Sequence, residues 1–281
     1  MKTLIQKIQI SPNQSFACRN YRTPNFETNW HIHEEFELIL ITQGDGTVMI
    51  GDYVGKYTVG DVFFIAGNLP HWFRKNDAKT IGSATVLHCH PKFFLQNLAV
   101  FPELKIVENF IRKKDAVQID KKLKTEITHS IAAMQELKGL QGLLVLINTL
   151  QKLSCSNQYI VLTQNFIPSN DQINPAIESI IDYSFKHFLQ PITLQEVAKS
   201  VNMSIPSFCR FFKNNIKKTY FNFLQELRIG HACNLLNTTN KPILEICYES
   251  GYNSWAHFSK QFKQLKSLTP SQYRKQFDGN H

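Results

Sequence analysis

Ser204-Ile-Pro-Ser-Phe-Cys-Arg-Phe-Phe-Lys213 and Ser254-Trp-Ala-His-Phe-Ser-Lys-Gln-Phe-Lys263 are two versions of one segment, fifty residues apart. Each copy opens with a serine, a favoured helix N-cap, and has phenylalanine at its fifth and ninth positions. Side chains three or four residues apart share one face of a helix, so each segment is predicted to bury these phenylalanines. Ile205 and Phe211 in the first copy, and Trp255 and Leu265 in the second, are predicted to face inward with them. The opposite face is basic in both copies. Such an internal repeat predicts a duplicated structural unit.

A shorter apolar pattern with helical spacing precedes each copy. Its members are Leu194, Val197, Ala198 and Val201 before the first copy and Ile243, Ile246 and Cys247 before the second. Asn202-Met203 and Gly251 are predicted to form the intervening turns. Two helices joined by a short turn, the second with a basic outer face, form the helix-turn-helix that enters a DNA major groove. A single copy could be an ordinary helix with a buried apolar face and a solvated basic face. Two copies at a constant offset, both basic on the same face, favour DNA binding.

The outward positions of the two basic helices provide the candidate DNA contacts. Arg210 and Lys260 occupy matching positions, and we expect them to contact bases, because arginine can bond guanine O6 and N7 together. Lys213, Lys263 and His257 are expected to contact phosphate, and the other members are expected to add smaller contacts. The full predicted set is Ser204, Pro206, Cys209, Arg210, Lys213, Ser254, Ala256, His257, Ser259, Lys260 and Lys263.

Residues 174–277 resemble the C-terminal DNA-binding domain of the AraC/XylS family of bacterial transcription regulators. The matching stretches are Leu227–Leu236, Ile243–Ile246, Gly251-Tyr252, Phe258–Lys263 and Thr269–Arg274. Cys247 stands where the family usually has alanine, and Lys217 and Ser267 stand where it often has glycine. These departures concern turns and packing and leave the two basic helices intact. The resemblance implies a transcription regulator, and the family favours activation, with RNA polymerase as a further partner.

The first ninety residues are expected to be β-rich. The predicted strands are Phe36–Ile41, Thr47–Ile50, Lys56–Val59, Val62–Ile65 and Thr80–Leu87, separated by Gly, Asn and Asp turn signals. Short strands at regular spacing predict a small β-sandwich or barrel.

Histidines and a glutamate cluster in this half of the chain. His31, His33 and Glu37 have period-2 spacing, which predicts that they share one face of a strand. Together with Gly44, Gly60-Asp61 and His71, this stretch resembles the two motifs of the cupin barrel, as found in the sensor domains of AraC-type regulators. In metal-binding cupins the residues of this pattern hold a divalent ion, so the resemblance implies His31, His33, Glu37 and His71 as that set. Ala66, Asn68 and Lys75 depart from the second motif.

Three interpretations of these four residues stay open. They could hold Zn, Ni, Mn or Fe, they could hydrogen-bond a small effector in the barrel mouth, or they could be a hydrogen-bonded remnant at the barrel lip. Trp30 and Trp72 could line the effector pocket and stack on a sugar-like ligand. The resemblance argues against catalysis, because the sensor barrels of the family usually bind effectors without transforming them.

The chain becomes helical after residue 90. Lys121–Leu137 and Leu143–Leu153 are predicted to form an apolar hairpin, interrupted at Gly139–Gly142. In the family the equivalent helices form a dimer contact, which implies a homodimer; packing on the barrel edge is the alternative. Ser154–Ile173 is polar and turn-rich and is predicted to be a linker. The expected domains are 1–153 for effector binding and dimerisation, 154–173 as linker, and 174–281 for DNA binding.

Composition agrees with a DNA-binding protein. The 281-residue chain has a net charge of +9, and residues 174–281 hold 13 Lys and Arg against 7 Asp and Glu, or +6 of that excess. The six cysteines have no Cys-x-x-Cys spacing, which favours a reducing cytoplasm over a disulfide framework. No apolar signal run and no stretch of eighteen apolar residues is seen, so no membrane segment is expected.

The sequence therefore predicts an α+β protein of two domains, a cupin-like β-barrel with a helical dimerisation hairpin and an all-α domain with two helix-turn-helix motifs. The predicted function is sequence-specific DNA binding controlled by a small-molecule effector, with no enzymatic activity. A metal-dependent cupin enzyme with a helical appendage is the alternative.

Overall fold

The structure is a computed structural model that describes residues 8–11, 13–24, 26, 30–77, 79–113, 115–163 and 175–278. The chain forms two compact units, residues 1–173 and 174–281. The first is rich in β-strands and the second is helical. They are called the β-rich unit and the helical unit below.

The β-rich unit contains two antiparallel sheets. A six-stranded sheet has the order β1-β7-β2-β5-β8-β9, and a three-stranded sheet has the order β4-β3-β6. The strands are β1 (Phe16–Arg22), β2 (Phe36–Gln43), β3 (Gly46–Ile50), β4 (Tyr53–Tyr57), β5 (Val62–Ile65), β6 (His71–Lys75), β7 (Ser83–Cys89), β8 (Ala116–Ile119) and β9 (Tyr159–Val161).

The two sheets share one apolar core but do not close into a barrel. Leu38 of β2, Val48 of β3 and Phe73 of β6 belong to the same buried cluster. Within the described residues, no ladder joins either edge of the small sheet to an edge of the large one; only an isolated bridge pairs His31 with His71. The expectation of a closed barrel is therefore wrong, whereas the two-sheet alternative describes the arrangement.

Two long helices lie between β8 and β9 in the chain. A π-helical turn at Phe93–Asn97, a 3-10 turn at Pro102–Leu104 and helix α1 (Lys105–Arg112) lead to α2 (Lys121–Glu136) and α3 (Gly139–Cys155). Helix α3 starts earlier than predicted, because Gly139–Gly142 belongs to it. A Cβ at Gly142 would lie 2.8 Å from the Leu137 carbonyl oxygen and 3.1 Å from Phe16 Cζ. Glycine is there to permit close packing, so it does not interrupt the helix.

The predicted linker, 154–173, begins too early in the chain. Ser154 and Cys155 end α3, and β9 then pairs with β8 as an edge strand of the large sheet. The turn-rich part at 168–171 lies outside the described residues.

The helical unit contains two helix pairs joined by short turns. Its helices are α4 (Pro175–His187), α5 (Leu194–Ser200), α6 (Ile205–Ile216), α7 (Tyr220–Thr238), α8 (Ile243–Glu249), α9 (Trp255–Lys266) and α10 (Pro270–Asp278). Residues 201–204 join α5 to α6, and residues 250–254 join α8 to α9. Asn202 (φ 57°) and Gly251 (φ 80°) take left-handed conformations in these turns, at the positions where turns were predicted.

Serine caps start both second helices, as predicted. The Ser204 hydroxyl accepts a hydrogen bond from the Ser207 amide, and the Ser254 hydroxyl accepts one from the His257 amide. Each of these helices ends at a residue that has a left-handed backbone conformation but is not glycine: Lys217 (φ 61°) for α6 and Ser267 (φ 57°) for α9. These are the two positions where the sequence departs from the family pattern, so the turn geometry is kept without the residue that adopts it most easily.

The phenylalanines at the centre of α6 and α9 are buried as predicted, but the apolar residues near the helix ends are more exposed. Phe208, Phe212, Phe258 and Phe262 are all 0% exposed. The other residues predicted to face inward are less buried: Phe211 is half-buried, and Ile205 is 41%, Trp255 40% and Leu265 38% exposed. Ile205 and Trp255 are the first residues of α6 and α9, and Leu265 lies in the last turn of α9. Helical spacing assigns a face, but it does not say where along the helix the packing stops.

Candidate functional site

Helix α6 presents its predicted contact face to solvent. Pro206, Cys209, Arg210 and Lys213 are exposed, and so is the N-cap Ser204. With the buried phenylalanines on one side, these residues lie on the other because the helix turns about 100° per residue.

Helix α9 repeats this arrangement fifty residues later. Ala256, His257, Lys260 and Lys263 are exposed, as is the N-cap Ser254. Ser259 is half-buried, so it is the member of the predicted set with least access to a partner. The two faces match position by position.

The cations on both faces are available to an external anion. Neither α6 nor α9 contains an acidic residue. Among the described side chains, Arg210, Lys213, Lys260 and Lys263 form no ion pair; the ion pairs of the helical unit are made by Lys218 and Lys241. Basic side chains that form no ion pair within the protein, on the second helix of a helix-turn-helix, can bind the phosphates of a DNA duplex.

A buried network fixes the orientation of His257. The Tyr252 hydroxyl donates to Gln261 Oε1 at 2.7 Å, so the amide nitrogen of Gln261 faces His257 Nε2 at 2.5 Å and donates to it. The proton of the ring is then on Nδ1. Arg228 lies 5.8 Å from the centroid of the Tyr252 ring, and its Nε donates to the Phe188 carbonyl at 2.7 Å. The turn of the second helix pair is thereby anchored to the segment after α4.

The predicted histidines and glutamate converge inside the β-rich unit. All four residues are buried, and one ligand atom from each of His31, His33, Glu37 and His71 lies within 4.8 Å of the others. Only Glu37 belongs to β2; His31 and His33 precede it. The prediction that these three share one strand face is therefore wrong. They meet because the His31–His71 bridge folds this segment back against the start of β6.

Glu37 is at the centre of the cluster and has a third imidazole neighbour that the sequence reasoning missed. Its Oε1 lies 2.9 Å from His33 Nε2 and 2.5 Å from His88 Nε2, and its Oε2 lies 3.2 Å from His71 Nε2. His88 is the direct cross-strand neighbour of Glu37 in the β2–β7 ladder. Burial on its own would raise the pKa of Glu37, but the positively charged forms of His71, His88 and His33 together hold that pKa well below its ordinary value.

The hydrogen bonds of two histidines fix the orientation of their rings. His33 Nδ1 donates to the Glu35 carbonyl at 3.0 Å, and His71 Nδ1 donates to the Leu69 carbonyl at 2.7 Å. Nε2 of each ring is left to face the cluster. Within the described residues, the buried Nε2 of His71 has no hydrogen-bond partner, because its approach to Glu37 lacks hydrogen-bond geometry. Three imidazoles and a carboxylate so arranged fit a divalent transition-metal ion.

A small cavity of about 50 Å³ adjoins the cluster. Its polar end is formed by Tyr21, His31, Glu37, His71 and His88, and its apolar wall by Phe26, Ile39, Phe73, Ala84 and Val86.

The predicted pocket residues Trp30 and Trp72 are buried but do not line this cavity. Side chains alternate along a strand, so Trp72 of β6 points away from the face that carries His71 and Phe73. Instead, Trp72 lies beneath Arg74, whose guanidinium carbon is 5.7 Å from the Trp72 ring centroid.

Strand periodicity could have found His88. Ala84, Val86 and His88 are alternate residues of β7 and all line the cavity. The predicted strand, Thr80–Leu87, ended one residue before His88.

No helix in the described parts of the chain is both long and apolar enough to cross a bilayer.

Two domain families match the chain in order. Residues 13–142 match the AraC-like ligand binding domain, and residues 197–276 match a helix-turn-helix domain. The first match covers strands β1–β8 and helix α2 and ends in the first turn of α3, and the second covers both helix pairs except the start of α5.

Relatives align over nearly the full length. The lactose operon transcription activator of Staphylococcus xylosus is 24% identical over 98% of this chain and 96% of its own. The arabinose operon regulatory protein of Salmonella typhimurium is 23% identical over 84% of this chain and 82% of its own. Among solved structures, the C-terminal domain of AraT, a response regulator from Geobacillus stearothermophilus, is 32% identical over 38% of this chain and 88% of its own, with a TM-score of 0.36.

The sensor-type domain, the helix-turn-helix domain and the full-length relatives agree with one another. The chain belongs to the AraC/XylS-type family of transcription regulators, with an AraC-like ligand-binding domain followed by a helix-turn-helix domain.

Proposed function

We propose that this regulator recognises its DNA site with α6 and α9 together, each helix lying in the major groove of successive turns. The observation that carries this is the matching outward face of the two helices, which is exposed and basic, with no acidic residue within either helix. Groove-binding helices on one face of a duplex are separated by one helical turn, about 34–36 Å. Effector binding and dimerisation are proposed for the β-rich unit and DNA binding for residues 174–281, with a linker that starts only after β9 and not at residue 154.

The side chains on these helices have different proposed roles. Arg210 and Lys260 contact base edges, because they hold matching central positions on the two faces. Lys213, Lys263 and His257 contact phosphate and fix the register of the protein on the duplex. The smaller proposed contacts are Ser204, Pro206, Cys209, Ser254, Ala256 and Ser259.

The β-rich unit is proposed to bind the effector at His31, His33, Glu37 and His71, in a cupin-like arrangement of two open sheets. Binding there changes how the DNA-binding domains are placed on DNA, which requires that the effector favour one arrangement over the other. Activation through RNA polymerase is the proposed output, in line with the activator names among the relatives. The regulator acts in the cytoplasm, where its DNA is.

A homodimer formed through the α2–α3 hairpin is part of the proposal. Leu140 is 67% and Leu144 56% exposed on the outer side of α3, on a helix that otherwise packs into the core through Leu146 and Leu150. Exposed leucines spaced by one helical turn form an apolar ridge that a second copy would cover. Leu144→Asp is expected to turn a dimer into a monomer in sedimentation analysis at micromolar concentration. A wild-type monomer under these conditions would contradict the dimer.

A metal-dependent enzyme remains the alternative use of the same cluster. Turnover is disfavoured because the chain belongs to a family of regulators whose first domain is a ligand-binding domain.

The experiment that tests DNA recognition uses the full chain and a library of random duplexes. Repeated selection at physiological salt is expected to enrich one sequence, bound about 10³–10⁷-fold more tightly than unselected duplex. Uniform binding to all duplexes, or none, would contradict sequence-specific regulation.

A further inference from the structure

We infer that Arg228 fixes the spacing between α6 and α9, and with it the separation of the two DNA segments that one chain binds. Arg228 is a positioning residue in this role, because it acts through the two helix pairs and not by contacting DNA. The inference rests on the proposed function, since the separation of two segments matters only to a protein that binds both at once.

Helix α7 connects the two helix pairs, and each pair packs on a different part of it. In the first pair, the Phe212 ring packs on Tyr220, the first residue of α7, with ring centroids 5.3 Å apart. In the second pair, Phe258 shares a buried cluster with the part of α7 that begins at Ile229. Arg228 lies between these two parts. Each pair could still turn about the axis of α7, so a contact away from that axis is needed to hold both pairs at one angle.

Arg228 makes such a contact with a single guanidinium group. Its Nε donates to the Phe188 carbonyl at 2.7 Å, and its Nη2 donates to the Gln190 carbonyl at 2.8 Å. Both carbonyls lie in the segment between α4 and α5, which leads directly into the first helix pair. The guanidinium carbon also lies 5.8 Å from the centroid of the Tyr252 ring, within the range of a cation–π attraction. Because Tyr252 belongs to the turn between α8 and α9, one side chain joins the two helix pairs.

The turn of the second pair also lies against the α4–α5 segment, backbone to backbone. Gly251 has a left-handed conformation, and a Cβ built on it would lie 3.0 Å from Arg228 Nε and 3.0 Å from the carbonyl oxygens of Phe188 and Leu189. Glycine is therefore required for this close approach as well as for the turn. The Phe188 carbonyl cannot move aside without disturbing its bond to Arg228. The Arg228 bonds and the Gly251 approach thus form one contact between the helix pairs, called the Arg228 contact below.

The Arg228 contact continues into α9. The Tyr252 ring packs edge-to-face on Phe258, with centroids 5.2 Å apart, and its hydroxyl donates to Gln261 Oε1 at 2.7 Å. Gln261 in turn bonds His257, a proposed phosphate contact. A displacement of Tyr252 is therefore passed on to the exposed face of α9, so loss of the Arg228 contact changes where that face lies relative to α6.

The spacing is tested with the full chain on duplexes that differ only in the distance between the two bound segments. One base pair is inserted or deleted midway between the positions of the selected duplex whose base changes weaken binding most. Each base pair shifts one segment by about 3.4 Å and turns it by roughly 34–36° relative to the other. The wild type is expected to bind the altered duplexes about 5–150-fold more weakly than the selected one, the cost of one lost base contact.

Arg228→Ala and Arg228→Lys should lower this ratio of affinities toward one. A helix pair that can turn adapts to either spacing, at a cost in affinity for the selected duplex because the pairs are no longer held in the binding arrangement. Lysine keeps the positive charge but lacks the paired N–H donors that reach two carbonyls. A substitution that only weakened the fold would lower affinity on all duplexes alike and leave the ratio unchanged.

Arg274→Ala is the matched control. Arg274 Nη2 donates to the Lys241 carbonyl at 2.8 Å, so this residue is also an arginine bound to a main-chain carbonyl ahead of a helix pair. Both residues of that bond follow α7 in the chain, and its loss leaves the Arg228 contact in place. Arg274→Ala is therefore expected to keep the wild-type ratio. Gly251→Ala disturbs the Arg228 contact from the other side, should lower the ratio, and replaces Arg228→Ala if that variant does not fold.

A distance measurement without DNA reports the spacing itself. Cys209 of α6 and Cys155 are the exposed cysteines. In a Cys155→Ser background, spin labels on Cys209 and on the cysteine introduced by Lys260→Cys give the distance between α6 and α9 in pulsed electron spin resonance. We expect a narrow distance distribution for the background and for Arg274→Ala, and a broader one for Arg228→Ala.

An unchanged ratio and an unchanged distance distribution in the Arg228 variants would overturn the inference. The same changes in Arg274→Ala as in Arg228→Ala would overturn it too, because they would show a general loosening of the helical unit. A wild type that binds all spacings equally would instead contradict the proposed simultaneous use of α6 and α9. The two failures are distinguishable, because the first leaves the spacing preference of the wild type intact.

Discussion

Replacement of Arg210 by alanine separates base recognition from every other role of α6. Arg210 is exposed, lies in the middle of the helix and forms no ion pair with the described side chains, while the core beneath it is made by Phe208 and Phe212. Arginine and alanine are both good helix formers, so the free energy of unfolding should change by only a few tenths of a kcal/mol, roughly. Any large effect of the substitution must therefore appear in DNA binding.

The expected loss follows from the contact assigned to this side chain. A bidentate arginine–guanine contact contributes about 1–3 kcal/mol of discrimination, so Arg210→Ala should weaken binding to the selected duplex by roughly 5–150-fold. Arg210→Lys keeps the positive charge but loses the paired donors, and we expect it to lose most of the discrimination. Lys260→Ala is the matched comparison at the equivalent position of α9.

Fluorescence anisotropy on the selected duplex and on duplexes with single base changes measures this directly. For Arg210→Ala, the penalty of a base change at one position should disappear while penalties elsewhere remain. An equal loss on all duplexes, with Arg210→Lys fully active, would make Arg210 a phosphate contact. A lowered melting temperature would refute the premise that its role lies outside the fold.

Four further substitutions test the phosphate contacts, the helix ends and the buried tyrosine. Lys263→Ala should reduce the slope of log K against log salt by about one while binding falls on all sequences alike, and an unchanged slope would remove it from the phosphate set. Lys217→Gly and Ser267→Gly should each stabilise the protein by up to about 1 kcal/mol in urea unfolding, because both residues have positive φ; destabilisation would mean that their side chains matter more than the strain. Burial raises the pKa of Tyr220 from 10.0 to about 12, so the folded state keeps its proton longer than the unfolded state. Stability should then be intact below pH 10 and fall as pH rises toward 12, and Tyr220→Phe should reduce that fall in alkaline melting curves; an identical pH profile would contradict it.

The helical unit could be predicted almost completely from the sequence, because its signals are local. Serine caps, the spacing of Phe208 and Phe212, and the turn at Gly251 depend on residues within one or two helical turns. The errors, such as exposed Trp255, occur where the helix extends beyond its packing partners, which no local pattern reports.

The β-rich unit was harder to predict, because its site is made by long-range pairing. The four suspected ligands do come together, but through a bridge between His31 and His71 and not on one strand. His88 was missed because its importance comes from being opposite Glu37 in a ladder between β2 and β7. Strand registers of this kind, and the volume left between the sheets, are properties of the folded chain that residue spacing does not contain.

The most direct test of the central claim is a hydroxyl-radical footprint of the full chain on the selected duplex. Two protected segments are expected for each chain, on one face of the duplex, with centres about 10–10.5 base pairs apart, because α6 and α9 bind successive turns of the major groove. Arg210→Ala should weaken protection of one segment and Lys260→Ala of the other. A single protected segment per chain, weakened by Arg210→Ala and unaffected by Lys260→Ala, would contradict the simultaneous use of both helices.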